Sequence, residues 1–158
     1  NPLDDNGEPL GHTISVDDVL TMMNKKSGLL GISGKSSDMR DIDAMADAGD
    51  ANCILARDML VYGIKKYIGS YAAAMGGVDV IVFTAGIGEN NNDLRERVMS
   101  GFEYLGAKLD VEKNKGRGEM IISTDDSKVT VCVIPTNEEI MIARDTLDLV
   151  TMGKVRDN

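Results

Sequence analysis

Cysteine and histidine are both rare in this sequence. Among its 158 residues only Cys53 and Cys132 carry thiols, and His12 is the single histidine. Neither cysteine belongs to a C-x-x-C pair, so the sequence supports neither a zinc site nor a disulfide framework. We interpret both as small core residues of a protein in the reducing cytoplasm. His12 lies in a polar N-terminal segment, where we expect an exposed loop residue and not a catalytic base.

Long apolar runs and a basic stripe are also absent from the sequence. No segment reaches the roughly 18 apolar residues that a membrane helix requires, and the N-terminus lacks the basic and apolar parts of a signal peptide. The net charge is −9 and the Lys and Arg residues are scattered, whereas nucleic-acid-binding domains usually concentrate basic residues on one face. These absences argue against membrane and nucleic-acid partners and favour a small-molecule ligand.

The composition is typical of a globular domain, with 42% apolar and 27% charged residues. A chain of this length buries roughly two thirds of the surface that it exposes when unfolded, so its core needs no disulfide or metal. We expect one domain over residues 15–152, between a polar leader (1–14) and a polar tail (153–158). The leader begins Asn1-Pro2-Leu3 without a starting Met, which we interpret as a sign that the chain was cut from a longer protein.

Hydrophobic periodicity predicts a first helix, a long core helix and a buried strand. Ser15 and Asp18 resemble a capping box at the start of the first helix. A stripe with a period of 3.6 residues runs from residue 50 to residue 75 and stops at Gly76-Gly77, which predicts the long core helix. Residues 78–83 are rich in β-branched residues and apolar except for Asp79, as in a strand that is buried on both faces of a parallel sheet with helices on both sides.

The second half of the chain continues the alternation of helices and strands. A helical pattern with Leu94, Val98, Phe102 and Leu105 ends at Gly106. Residues 120–123 and 128–134 are predicted strands joined by a turn. A capping box at 136–139 opens a final helix, and its buried side is predicted to contain four residues: Ile140, Ala143, Leu147 and Val150. The prediction is an α/β fold with a sheet flanked by helices.

A strand, a glycine turn and a helix follow one another over residues 78–102. Gly86 and Gly88 remove side chains where a backbone approaches a ligand closely, and the free N–H groups at the start of the next helix suit a phosphate or a ribose. The pattern therefore favours a nucleotide. A plain tight turn is one alternative. A dinucleotide fingerprint that includes Asp110 is another, although its third glycine is replaced by Asn91.

Two further polar segments are candidate site segments. Asp38 is predicted to cap a helix that starts near Met39, while Arg40 could instead stack on a base or hold a phosphate. In the sequence TNEE (136–139) the last acid is predicted to fold back in the capping box, which leaves Glu138 free. A carboxylate at the carboxyl end of a strand is well placed for Mg²⁺, and the alternative is an exposed first-turn acid favoured by the helix dipole.

Four segments occur together in the order typical of the acetate kinase family, which this chain therefore resembles. They read MNKKSGLLGISG (23–34), SSDMRDI (36–42), FTAGIGEN (83–90) and VIPTNEE (133–139). The resemblance implies a mixed sheet flanked by helices in an actin/hexokinase-like, ribonuclease H-like nucleotide-binding domain. Two such domains close over ATP in the superfamily that includes actin, hexokinase and heat-shock protein 70.

The resemblance also implies roles for individual residues. Asp38, Met39 and Arg40 would face the adenosine, and Glu138 would help to position Mg²⁺. The residues expected to cradle the ribose and the inner phosphates are Gly86, Ile87, Gly88, Glu89 and Asn90. The family reaction transfers the γ-phosphoryl group of ATP to acetate, giving acetyl phosphate and ADP, and it is reversible.

Several parts of the family's active site have no matching segment here. The missing parts are a phosphate loop and N-terminal-domain residues comprising an Asn, a His, a catalytic Asp and an acetate-site Arg, together with a transition-state Arg. We therefore expect the chain to be the C-terminal, ATP/ADP-binding half of a homodimeric enzyme and to be inactive alone. The alternatives are a propionate or butyrate kinase domain, an NAD-binding oxidoreductase domain, or a non-enzymatic scaffold with a vestigial cleft.

Overall fold

Helices and one small mixed sheet make up the part of the chain that this computed structural model describes, which is residue 6 and residues 14–156. Most of the predicted leader, with His12, and the end of the predicted tail lie outside these residues. The helices and strands in chain order are α1 (Val16–Lys25), α2 (Gly28–Ser33), α3 (Met39–Asp47), α4 (Ala51–Met75), β1 (Val80–Phe83), α5 (Ala85–Asn90), α6 (Asn92–Met99), β2 (Met120–Ile121), β3 (Thr130–Val133) and α7 (Glu138–Arg156). Short 3-10 helices occupy Glu103–Leu105 and Lys113–Lys115.

The chain divides into two units, residues 1–66 and residues 67–158, with the boundary inside α4. In the first unit the predicted capping box of α1 is confirmed: Ser15 Oγ accepts from the Asp18 N–H, and the Asp18 carboxylate accepts from the Ser15 N–H. None of the residues of α1 is buried. The buried apolar residues of this unit are Met39, Ile42, Ala46, Cys53, Ala56 and Val61.

The long helix α4 ends where the two glycines predict. Gly76 and Gly77 have positive φ angles of 74° and 148°, and their N–H groups donate to carbonyls of the last turn, so the end of the helix is capped by residues without a Cβ. The predicted apolar stripe is buried only in part. Tyr71 and Met75 are 62% and 67% exposed, because no described element covers the last turns on that side.

The sheet has the strand order β1-β3-β2, with β1 parallel and β2 antiparallel to β3. The predicted parallel pairing and the mixed sheet are therefore confirmed. The prediction that the first strand is buried on both faces is wrong for the described residues: Ile81 and Phe83 are buried, whereas Val80 and Val82 are 50% and 47% exposed. An almost uniformly apolar strand predicts cover on both faces, but within the described part of the chain only the face with Ile81 and Phe83 is covered. None of the described helices is long and apolar enough to cross a membrane.

The second unit has its own apolar core. Its buried residues are Ala72, Ile81, Phe83, Leu94, Val98, Met99, Phe102, Ala107, Ile122, Val129, Val131, Cys132 and Val133. The core interpretation of both cysteines is thus confirmed. The predicted helix over residues 91–106 is interrupted, because α6 ends at Met99 and Gly101 takes a φ of 93° before a 3-10 turn.

The last helix, α7, differs from its prediction in both its cap and its burial. Asn137 caps it, since Asn137 Oδ1 accepts from the N–H of Ile140, so the predicted capping box of Thr136 and Glu139 is wrong. The predicted buried side is also wrong. All residues from 138 to 152 are exposed, and Leu147, for example, is 65% exposed. An apolar stripe shows that a helix has one face to cover, but its cover is not among the described residues.

Candidate functional site

Two of the predicted site segments leave the sheet at the same edge. The glycine segment follows the carboxyl end of β1, and the TNEE segment follows the carboxyl end of β3. These strands are parallel neighbours in which Phe83 lies opposite Val133, and the N–H of Ile134 donates to the carbonyl of Phe83. Ligands of open α/β sheets bind outside the carboxyl ends of the strands. The sheet therefore brings both segments together at the edge where a ligand is expected.

A direct contact joins the two segments. The N–H and the hydroxyl of Thr136 both donate to Oε1 of Glu89, at 2.8 and 2.9 Å. Both bonds hold the pKa of the Glu89 carboxyl below its usual value, and the bond from the main-chain N–H has the larger effect. Capping was the predicted role of Thr136, and Asn137 performs it instead. The contact was missed because its partners are 47 residues apart in the sequence.

The glycine segment forms a short helix, α5, and not an open turn. Neither glycine has a positive φ angle. The left-handed residue is Ala85, with φ at 58°, which is rare for a residue with a side chain. A Cβ on Gly86 would meet nothing within 4 Å, whereas a Cβ on Gly88 would lie 3.3 Å from the backbone carbon of Phe83. Gly86 therefore leaves an open surface, and Gly88 lets α5 pack closely on the end of β1.

The other residues of the glycine segment differ in their accessibility. Ile87 is 44% exposed, and Glu89 is half-buried. The side-chain amide of Asn90 donates to the carbonyl of Gly86 at 2.9 Å, so it braces α5 from within. The exposed main chain at Gly86, the Ile87 side chain and the Glu89 carboxylate are thus available at this end of β1, and the open main chain suits recognition of a ligand by backbone groups.

Arg95 is a residue of this region that the sequence interpretation missed. It lies on α6, is 1% exposed, and donates from Nη1 to the carbonyls of Gly88 and Glu89, at 2.8 Å each. Its Nε and Nη2 donate to the side-chain and main-chain oxygens of Asn114 at 2.7 Å. A signal was present in the sequence: Arg95 lies three and four residues before Val98 and Met99, on the apolar face of α6.

The Asp38 segment belongs to the first unit. Asp38 caps α3, as predicted, by accepting from the N–H of Arg40. The guanidinium of Arg40 also donates to both carboxylate oxygens of Asp38, at 3.0 and 2.6 Å, and these bonds lower the pKa of Asp38 to about 2. The side chain of Arg40 is 90% exposed, so the ion pair presents a flat cation to solvent. Met39 is 6% exposed and belongs to the core.

Glu138 and Glu139 are the first two residues of α7 and both are exposed. Because Asn137 forms the cap, neither acid has the capping role by which the sequence distinguished them. Among the described residues there is no group of three or more His, Cys, Asp or Glu that could hold a metal ion. Mg²⁺ is usually held by one or two carboxylates together with substrate phosphates and water. Glu138 therefore fits a metal that arrives with a nucleotide and does not fit a preformed cage.

Asp110, which favours the dinucleotide alternative, and Asn91, which weakens it, both have local roles. Asp110 Oδ1 accepts from the N–H groups of Glu112 and Lys113 and so starts the 3-10 turn that follows. Asn91, in the place of the third glycine, caps α6 by accepting from the N–H of Leu94. Local structure therefore accounts for both residues without a bound ribose or pyrophosphate.

Comparison with known proteins agrees with the motif order. Residues 11–144 match the Acetokinase family. The chain is 60% identical to an acetate kinase of Phocaeicola vulgatus over 133 residues, which are 84% of this chain and 33% of that protein. It superimposes on a Porphyromonas gingivalis acetate kinase with a TM-score of 0.80 and 50% identity, covering 87% of this chain and 35% of that one. A propionate kinase from Francisella tularensis gives a TM-score of 0.74 and 39% identity, with 82% and 33% of the two chains covered.

The chain thus spans about a third of the length of the relatives that it matches. Acetate kinases have an actin/hexokinase-like fold, and the predicted fold class is confirmed by this match. The resemblance that the four sequence segments indicated is confirmed as well. From the sheet edge that unites two of those segments and from the extent of the match, we conclude that this chain belongs to the acetokinase family.

Proposed function

We propose that the full-length protein transfers the γ-phosphoryl group of ATP to acetate, giving acetyl phosphate and ADP reversibly, and that this chain is its ATP/ADP-binding half. The observation that supports this most directly is the pair of hydrogen bonds from Thr136 to Glu89. They join the glycine segment and the TNEE segment at the carboxyl edge of two parallel strands. A ligand at this edge meets both segments at once.

The nucleotide contacts follow from what each segment exposes. The open backbone at Gly86 admits a ribose or an inner phosphate, with Ile87, Gly88, Glu89 and Asn90 completing that wall. In the first unit the exposed guanidinium of Arg40, held by Asp38, offers a plane on which a base can stack. The Met39 side chain is buried, so its contribution to an adenosine site is to hold the backbone of the cap.

Glu138 is the proposed Mg²⁺ ligand of this chain. It lies exposed two residues after Thr136, the residue that binds Glu89 of the glycine segment, and it offers the single carboxylate that a nucleotide-borne Mg²⁺ requires. When bound, the metal would neutralise charge on the phosphate oxygens during transfer. The protein's own part would be to orient the carboxylate, and the Thr136 to Glu89 bonds and the Asn137 cap support this by fixing the backbone just before Glu138.

The acyl substrate is acetate in this proposal, and propionate or butyrate is the alternative. One similar structure is that of a propionate kinase, and the acyl-site Arg that the resemblance implies has no counterpart in this chain. Since the transition-state cations are also outside it, the chain alone is expected to bind nucleotide without transferring phosphate. We further propose that the protein is a cytoplasmic homodimer. The exposed apolar residues Val16 and Met23 of α1 support a dimer, because exposed apolar patches commonly mark partner surfaces.

The test compares the full-length protein with the isolated chain. The full-length protein is expected to release ADP only when acetate is present, and to prefer acetate to propionate and butyrate in matched assays. The isolated chain should bind ADP in a calorimetric titration and show no turnover. Displacement of ADP by NAD would favour the oxidoreductase alternative. Absence of any effect of ATP or ADP on the melting temperature would favour a scaffold, and light scattering that shows a monomer would refute the dimer.

A further inference from the structure

The second unit buries a positive charge without an acidic partner. Arg95 is 1% exposed, and its hydrogen bonds go to neutral acceptors, namely main-chain carbonyls and the amide oxygen of Asn114. No carboxylate among the described residues pairs with it, and burial lowers its pKa. Burying an unpaired cation is costly unless its hydrogen bonds are satisfied. A residue retained at such a cost has a specific task.

The acceptors show what that task is. Gly88 and Glu89 lie in the last turn of α5, where helix carbonyls have no partner inside the helix. Nη1 of Arg95 donates to both of these carbonyls at 2.8 Å. The guanidinium thus fixes the end of α5, and a rigid planar fork does so with more geometric precision than a flexible ammonium group.

Arg95 is itself held from the opposite side. Asn114 is fully buried and accepts from Nε at 2.7 Å, while its own amide donates to the carbonyl of Asn92 at 2.8 Å. The 3-10 turn that contains Asn114 therefore locks the guanidinium against the start of α6. The end of α5 is thus held by the buried hydrogen-bond network of Arg95 and Asn114 and not by groups at the surface.

We propose that Arg95 is a positioning residue of the nucleotide site. By holding the carbonyl of Glu89 it sets the direction in which the Glu89 carboxylate reaches Thr136, and so it fixes the glycine segment and Glu138 in one geometry. This inference rests on the proposed function. Arg95 is 1% exposed, so it acts on the site only through α5, whose Gly88 and Glu89 carbonyls it holds, and mainly through the Glu89 carboxylate that Thr136 binds.

The test uses Arg95→Lys in the full-length protein. This substitution keeps the positive charge and removes the planar guanidinium with its several donors. We expect ADP affinity to fall by about tenfold, and the Mg²⁺ and ATP concentrations for half-maximal rate to rise, as for other residues that orient ligands. These quantities are measured well below the melting temperature. A merely structural role would lower the melting temperature and leave the affinity of the folded protein unchanged, which would overturn the proposal. Arg97→Lys is the control, because Arg97 lies on the same helix but pairs with Asp93 at the surface. It should change neither the ADP affinity nor the half-maximal Mg²⁺ and ATP concentrations.

A double-mutant cycle with Glu89→Ala, which removes the acceptor of both Thr136 bonds, tests the route of the effect. If Arg95 acts through the Glu89 carboxylate, then Arg95→Lys weakens ADP binding by less than about twofold once that carboxylate is already removed, since coupled residues are not additive. A full tenfold loss in that background would overturn the route. Should Arg95→Lys yield no folded protein, Asn114→Ala leaves the guanidinium present but removes the side-chain acceptor of its Nε. It is expected to weaken ADP binding in the same direction, and unchanged affinity in that variant would refute the inference.

The inference and the proposed function fail in distinguishable ways. A full-length wild type that binds no ADP refutes the proposed function. A wild type that binds ADP together with a folded Arg95→Lys variant that binds it equally well refutes only the role of Arg95.

Discussion

One carboxylate oxygen of Glu89 accepts two hydrogen bonds from Thr136, one from the main chain and one from the side chain. The two bonds close a link between the carboxyl ends of β1 and β3, which are already neighbours in the sheet. Because both donors belong to the residue before the α7 cap, the link also sets where α7 begins.

Replacing Thr136 tests the link. Thr136→Val keeps the shape of the side chain and removes the hydroxyl donor, so the pKa of Glu89 should rise toward its usual value and ADP affinity should fall severalfold. Carbon-detected NMR titration of the Glu89 carboxyl and calorimetry measure the two effects. Thr146→Val removes a hydroxyl bond within α7 and should alter neither; equal effects of both variants would contradict the link.

The two glycines of α5 should respond differently to substitution. Gly88→Ala forces a Cβ against the backbone of Phe83 and should destabilise the protein by about 1–3 kcal/mol through overpacking. Gly86 has free space, so Gly86→Val should leave the fold intact and abolish nucleotide binding by filling that space. Thermal melts and titration with ADP separate the cases. A folded Gly86→Val protein with normal ADP affinity would remove α5 from the site.

The neighbouring acids at the start of α7 should separate in kinetics. Glu138→Ala in the full-length protein should lose turnover more severely than ATP affinity, because a metal ligand acts mainly on charge that develops during transfer. Glu139→Ala is the matched control and should change little, since Asn137 provides the cap.

Asn137→Ala removes the cap of α7 and should therefore cost about 1 kcal/mol of stability, which thermal melts measure.

Steady-state kinetics at varied Mg²⁺ measure the effects of Glu138→Ala and Glu139→Ala. A crippled Glu139→Ala enzyme beside an active Glu138→Ala enzyme would reverse the assignment.

Acid should weaken the first unit through Asp38. Its pKa is about 2 in the folded protein, against an ordinary value of 3.8, so its stabilising effect is complete above pH 3.8 and is lost as the pH falls toward 2. Asp38→Asn keeps an N-cap side chain but cannot titrate, and it should flatten this part of the stability profile. Urea unfolding between pH 2 and pH 5 measures it. An unchanged slope in the variant would show that other carboxyls dominate.

The contacts that the sequence predicted correctly are local ones. The capping box of Ser15 and Asp18 and the cap of Asp38 involve residues two or three positions apart, so residue type and spacing determine them. The cap of α7 was misassigned because Thr and Asn are both good caps, and only the distant Glu89 decides which of the two is used. Local spacing holds no information about that partner.

Burial was harder to predict than secondary structure. An apolar run predicts the strand β1 and an apolar stripe predicts α7, but neither pattern says which element covers them. Arg95 shows the opposite case, in which a charged residue on an apolar face has a buried network that the sequence pattern does not reveal. The site was therefore predictable as a set of segments, whereas its supporting contacts required the structure.

The strand pairing also bears on the order of folding. β2 and β3 are close in the sequence and pair through a short turn, whereas β1 must wait for β3, since Val80 lies opposite Thr130. Non-local parallel pairing forms slowly, because a long loop has to close first. We therefore expect the edge that unites the glycine and TNEE segments to form late, during synthesis as well as refolding. If the edge binds nucleotide as proposed, a nascent chain could not capture nucleotide before this step, and nucleotide present afterwards would stabilise the completed sheet by mass action.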